Sequence, residues 1–243
     1  MKHRIVTLIW LSLLFSLTLS ATTQAMTVKP MISEITPTGR SAQYTIHIDN
    51  PSASTLTVEM VTTRISMAKN GQETRTPADD DLLIIPVTAI IQPGAAQTVI
   101  IQYIGDPLIK QSQAYRVSIK QAAVDLTGTG KQAIGIGVNF NTLLNVAPPK
   151  SKAKLSVRSL KKAGKNWLLE LHNSGDRYAR ISRTQWTITD KRGKKHTLAG
   201  KDIKKHLNGN LVLPNATRVF SMTPSNTFSL EGAKHIDIQV GSS

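Results

Sequence analysis

Between Ile134 and Val146 the chain alternates, with Ile134, Ile136, Val138, Phe140, Leu144 and Val146 on one parity and only Thr142 breaking the row. A period of two places these side chains on one face of an extended strand. Gly135, Gly137, Asn139 and Asn141 fall on the other face and leave it smooth and weakly polar. A row of bulky apolar side chains of this kind has two uses. It closes the strand's own core, or it is lent to another chain that lacks a strand.

The compartment bears on that choice. Residues 1–25 read as a secretory signal. Lys2, His3 and Arg4 form a basic start, Ile5 to Leu19 an apolar run, and Thr23-Gln24-Ala25 a small-residue cleavage site, so the mature chain is expected to begin at Met26. The apolar run is short for a bilayer span of about 20 residues. In a two-membrane bacterium this places the protein in the periplasm or beyond. The 243 residues contain no Cys, so packing alone must hold an exported chain together.

Charge divides the chain. Residues 26–149 carry 9 Lys plus Arg against 9 Asp plus Glu, whereas residues 150–243 carry 19 against 6, a net of 19 − 6 = +13. The basicity belongs to one region, which points to two domains of different character.

Strand-prone runs follow one another closely. Gln43–Asp49 alternates and ends in the turn Asn50-Pro51-Ser52, and Leu56–Ile65 is rich in Thr and Val. Leu82–Ile85, Val87–Ile91, Ala96–Ile104 and Ala114–Gln121 continue the series, with Pro93-Gly94 and Gly128-Thr129-Gly130 as turns. About seven short strands in ~120 residues predict an antiparallel sandwich of immunoglobulin type. Pro148-Pro149-Lys150-Ser151-Lys152 marks a linker, after which Lys154–Leu160, Trp167–His172, Ile181–Thr189, His196–Ala199, Asn210–Leu213, Thr217–Met222 and His235–Val240 predict a second β domain. The expected division is a signal at 1–25, a first domain at 26–148 and a basic second domain at 149–243. No long amphipathic helix is expected, and no internal repeat is visible.

These residues resemble a known family, the periplasmic chaperones of bacterial chaperone–usher pili. The resemblance rests on Leu82-Leu83-Ile84-Ile85-Pro86 followed by Ile91-Gln92-Pro93-Gly94-Ala95-Ala96-Gln97-Thr98-Val99, and on Tyr115-Arg116-Val117. The alternating segment ending at Pro148 matches the family's donor strand and the hinge after it. Leu171-His172-Asn173-Ser174-Gly175-Asp176 and Leu213-Pro214-Asn215-Ala216 match turns of the second domain. The resemblance implies an all-β chain of two immunoglobulin-like sandwiches set as a boomerang, without catalytic residues, metal or cofactor. It implies that pilus subunits lacking a strand are bound by donation of this strand and passed to an outer-membrane usher. The donated side chains would be Ile134, Ile136, Val138 and Phe140, while Leu144 and Val146, nearer the hinge, would fill the chain's own core. Four such side chains at ~1.5–3 kcal/mol each represent a gross gain of roughly 6–12 kcal/mol before ordering costs. A free donor edge also predicts self-association when no subunit is bound.

The sequence departs from the family at one place. Members of the better-known branch hold the subunit's terminal carboxylate with a Lys on the donor strand and an Arg on the first strand. Alignment on Pro148 puts Leu143 at the first position and the neighbourhood of Ile32 at the second. The chain therefore resembles a divergent branch, alternate or archaic. A hairpin around Gly128-Thr129-Gly130 would set Arg116 opposite Thr142, beside the missing lysine. Arg116 is then the candidate replacement anchor, since a guanidinium holds a carboxylate through two parallel hydrogen bonds. Lys120 is the second candidate, further along the same strand.

Other functions find less support. The six histidines are scattered, no Gly-x-Ser-x-Gly elbow occurs, and Gly128-Thr129-Gly130-Lys131 lacks the upstream Gly and the following Ser or Thr of a phosphate loop. The basic second domain has paired lysines near Trp167 and Trp186, but export argues against nucleic acid as its partner. The alternatives left open are a secreted structural immunoglobulin-like protein, such as a pilus subunit or adhesin, and a polyanion-binding module.

Overall fold

The computed structural model describes residues 26–122, 137–223, 225 and 230–241. The expected signal therefore lies outside the described residues, as do Ile134 and Ile136.

Ten strands precede the linker region: β1 (Thr27–Lys29), β2 (Ile32–Ile35), β3 (Gln43–Asp49), β4 (Leu56–Met67), β5 (Glu73–Pro77), β6 (Leu82–Ile85), β7 (Thr88–Ile91), β8 (Ala96–Tyr103), β9 (Gln113–Gln121) and β10 (Asn139–Val146). They form two sheets, one in the order β1-β3-β8-β6 and one in the order β2-β10-β9-β4-β5, with β7 also paired to β4. The two facing sheets enclose a core that includes Ile46, Ile48, Val99, Ile101, Tyr115, Val117, Leu144 and Val146. Alternation explains the layering. In β6, Leu82 and Ile84 are buried while Leu83 and Ile85 face outward, as period-two patterning requires.

Eight strands and one short helix follow: β11 (Leu155–Ala163), β12 (Asn166–Asn173), β13 (Ala179–Arg180), β14 (Thr184–Asp190), β15 (Lys195–Ala199), α1 (Gly200–Lys204), β16 (Leu211–Val212), β17 (Ala216–Met222) and β18 (Ala233–Val240). The sheets β11-β12-β17 and β15-β14-β18 face each other, with β13 and β16 paired separately. Trp186, Phe220, Leu169, Leu171 and Ile181 fill this second core, and Trp167 packs at its margin. The strand expected over Ile181–Thr189 is divided, because Ile181–Arg183 forms a 3-10 turn before β14 begins.

A buried asparagine organises the end of a strand in each half. Asn50 follows β3; its amide donates to the carbonyls of Ser54 (2.8 Å) and Ile91 (2.9 Å), and its oxygen accepts from the Ser52 hydroxyl (2.6 Å). Asn173 ends β12; its amide donates to the carbonyls of Arg177 (2.7 Å) and Leu213 (3.1 Å), and its oxygen accepts from the Lys154 N–H (2.9 Å). Both side chains replace water as partners for loop backbone that would otherwise be buried unpaired. The halves thus share a device that leaves no repeat in the sequence.

A third cluster joins the halves. Ile65, Ala114, Leu143 and Ala147 from the first pack with Tyr178 and Leu211 from the second. Polar ties surround it. The Tyr178 hydroxyl donates to Glu34 Oε2 (2.5 Å), Arg177 Nη2 donates to Glu34 Oε1 (2.5 Å), and the Val219 N–H donates to the Lys69 carbonyl (2.7 Å). Burial first, and then the neighbouring Glu34 carboxylate, push the Tyr178 hydroxyl pKa well above the ordinary phenol value. It therefore stays a proton donor to Glu34.

Candidate functional site

Strand β10 has two different halves. Over Leu143–Val146 it is enclosed, with β9 antiparallel on one edge and β2 parallel on the other. Over Asn139–Thr142 it pairs with β9, and among the described residues no strand covers its other edge. Parity shows which groups are left facing outward. The N–H groups of Leu143 and Ala147 donate to the carbonyls of Met31 and Ile35 on the β2 side (both 2.9 Å), whereas Val138 accepts from Gln121 on the β9 side (3.3 Å). Alternate residues of a strand direct their backbone groups to opposite edges. The N–H and C=O groups of Asn139 and Asn141 therefore point to the open edge. An extended partner strand could pair there.

The side chains follow the same division. Leu144 and Val146 are fully buried in the first core, as expected of residues near the hinge. Phe140 is half-buried and packs against that core. Val138 is 36% exposed, so it retains apolar surface that a partner could cover.

The opposite face of this sheet lines the junction with the second half. Leu143 lies directly across from Ile32 on β2, so the two positions that would carry the family's basic pair are adjacent and apolar. Leu143 is buried in the joining cluster, while Ile32 is 40% exposed. Across β9, Leu143 faces Arg116, one residue from the Thr142 expected. The expected hairpin register was off by one, because its turn was placed from Gly128-Thr129-Gly130, which lies outside the described residues.

Arg116 is not an isolated cation. Its Nε donates to Glu73 Oε2 (3.1 Å), and its Nη2 makes a second contact to Glu73 Oε1, a two-pronged grip. Arg75 also reaches Glu73 (3.4 Å) and donates to Asn141 Oδ1 (3.2 Å), which in turn accepts from the Ser118 hydroxyl (2.6 Å). Burial tends to raise the Glu73 carboxyl pKa. The Arg116 hydrogen bonds and charge, joined by Arg75, outweigh it and hold the pKa below its usual value. Lys120 lies further out, exposed, between Asn139 on β10 and Glu59 on β4.

Glu73 and Arg75 were missed in the sequence because Glu73–Pro77 carries no apolar alternation. The available signal was Asn70-Gly71, the strongest short hairpin turn. Gly71 adopts φ 89°, and the Gln72 N–H donates to Asn70 Oδ1 (3.0 Å). The turn folds β5 back on β4, pairing Met67 with Glu73 and Ile65 with Arg75. Among the described residues no group of His, Asp and Glu is arranged to hold a metal ion.

No protein-family profile matches the chain, and no curated protein matches it in sequence. Solved structures do match along most of its length. The class 5 fimbriae chaperone CfaA is 14% identical, with 90% of this chain and 100% of that chain covered and a TM-score of 0.56. A chain from the Salmonella enterica SafA pilin–SafB chaperone complex is 15% identical, with 91% and 98% covered and a TM-score of 0.54. A chain from the CsuC–CsuE chaperone–tip adhesion subunit pre-assembly complex of the archaic chaperone–usher Csu pili of Acinetobacter baumannii is 11% identical, with 86% and 92% covered and a TM-score of 0.51. The matched structures thus include both class 5 and archaic systems. From its first core to its second, the chain has the two-domain immunoglobulin-like fold of the pilus chaperones of chaperone–usher systems.

Proposed function

We propose that this protein is a non-enzymatic periplasmic chaperone that binds pilus subunits through β10 and the residues preceding it, and delivers them to an outer-membrane usher. The observation that carries the reading is the open edge at Asn139–Thr142, continuous with an apolar row in which Val138 is exposed and Phe140 half-covered. Subunit backbone pairs with that edge, and subunit pockets take Val138, Phe140 and, further up, Ile134 and Ile136. The same edge is the route to self-association when no subunit is bound. Complexes of structurally similar chaperones with a pilin and with a tip subunit give the reading its class of partner.

The subunit's terminal carboxylate, with Leu143 and Ile32 unable to hold it, is taken by Arg116, which exchanges one of its contacts to Glu73 for the incoming carboxylate. Lys120 contributes at longer range. Periplasmic capture from the native host, read by mass spectrometry, tests both parts. Wild type is expected to recover a small β-rich subunit, and Val138→Asp to lose it. Glu73→Gln, which frees Arg116, should keep or increase capture, whereas Arg116→Gln should reduce it about tenfold. Equal recovery with Val138→Asp removes the strand-donation reading. Equal loss in Arg116→Gln and Glu73→Gln removes Arg116 as the anchor and leaves the pair a structural one.

A further inference from the structure

Beside the hinge, on the second half of the molecule, Lys152, Arg177, Arg180 and Arg183 line one cavity with Tyr178 and Gly241. Strand β13 and the 3-10 turn after it bring Arg180 and Arg183 within three residues of each other. Arg177 enters from the loop that Asn173 organises. The acids nearby are already engaged. Glu34 accepts from Arg177 and Tyr178, and Asp176 Oδ1 accepts from the Lys152 N–H (2.6 Å). Among the described residues, neither Arg180 nor Arg183 forms an ion pair. The Arg180 Nε is shut away from solvent without a hydrogen-bond partner. Burial, and then the charge of Arg183, lower the Arg180 pKa, so the fold holds two like charges close together at a cost.

Proteins rarely leave a buried guanidinium N–H unpaired, because such a group forfeits its hydration without replacement. A guanidinium fork matches the oxygens of a carboxylate or phosphate, and two forks facing one cavity supply both charge balance and geometry. We infer that this cavity is a binding site for a small oxyanion, held by Arg180 and Arg183 with Lys152 at the rim. The anion pairs with the guanidinium groups of Arg180 and Arg183 that line the cavity, relieves the repulsion between the two arginines, and leaves the Arg177–Glu34 tie intact. Its source is a free tetrahedral anion such as phosphate, or the carboxylate of a peptide terminus. The cavity includes no residue of the donor strand, so phosphate binding at it can fail or succeed whatever becomes of the chaperone reading.

Isothermal titration of the full mature chain with inorganic phosphate, against chloride at matched ionic strength, tests it. Wild type is expected to bind saturably. Arg183→Gln, an exposed position that folding should tolerate, is expected to weaken the dissociation constant about tenfold or more. Arg180→Gln should do the same, and Arg192→Gln, an exposed arginine outside the cavity, should leave it unchanged. No saturable heat in wild type, or one affinity shared by wild type, Arg183→Gln and Arg192→Gln, overturns the site. Competition by a short peptide with a free C-terminus but not by its amide assigns the carboxylate source to the site. Competition by neither assigns a tetrahedral anion to it.

Discussion

At Glu73 a carboxylate on a short polar strand accepts from both Arg116 and Arg75 and so is the acid these two guanidiniums share. Its folded pKa lies below the unfolded value, so the stabilisation is complete above the ordinary carboxylate range and is lost as pH falls through the folded value. Glu73→Gln is expected to cost about 1–3 kcal/mol at neutral pH. It should also flatten the loss of stability below about pH 4.3. Urea unfolding of both proteins across an acid pH series checks this, and parallel acid limbs would contradict it. Arg116 was legible in the sequence as a cation of this sheet, but its partner was not. A salt bridge between strands so far apart in sequence follows from register, and no local pattern encodes it.

Strand boundaries came most clearly from alternation. Gln43–Asp49 and Leu82–Ile85 were readable to the residue because each has one wet and one dry face. β5 has no dry face and β13 is only two residues long, so neither offers a period to detect. α1 was missed for a related reason, since five residues are too few to display a helical stripe. β10 was readable in its parity, yet parity could not tell that its second half is buried on both faces. Asn145 is fully buried there, and Leu143 nearly so. For Leu143 that burial comes from the other half of the molecule, through Tyr178 and Leu211. Leu143→Lys, which installs a cation where the family resemblance expects one, should therefore destabilise this chain by about 2–4 kcal/mol. Chemical denaturation followed by Trp fluorescence measures it. A cost under about 1 kcal/mol would mean the joining cluster yields easily to a charge.

The two halves are tied at both ends of their junction. Glu34 with Arg177 and Tyr178 fastens the hinge side, and the β4–β5 turn reaches across to β17, where the Gly71 backbone approaches the Arg218 guanidinium. A Cβ on Gly71 would lie 2.5 Å from Arg218 Nη2, so a larger residue would have to displace the guanidinium, and the φ of 89° itself favours glycine. Charge separates the halves while packing joins them, with the excess of lysine and arginine confined to residues 150–243. That combination fixes the relative placement of the open edge of β10 and the basic second half. It also bears on how the molecule comes apart. Neither half can lose its fold without exposing Ile65, Leu143, Tyr178 and Leu211 of the shared cluster, so melting of one removes support from the other. Differential scanning calorimetry should accordingly record a single endotherm whose van't Hoff and calorimetric enthalpies agree. Two resolved peaks would mean that the halves behave as independent beads.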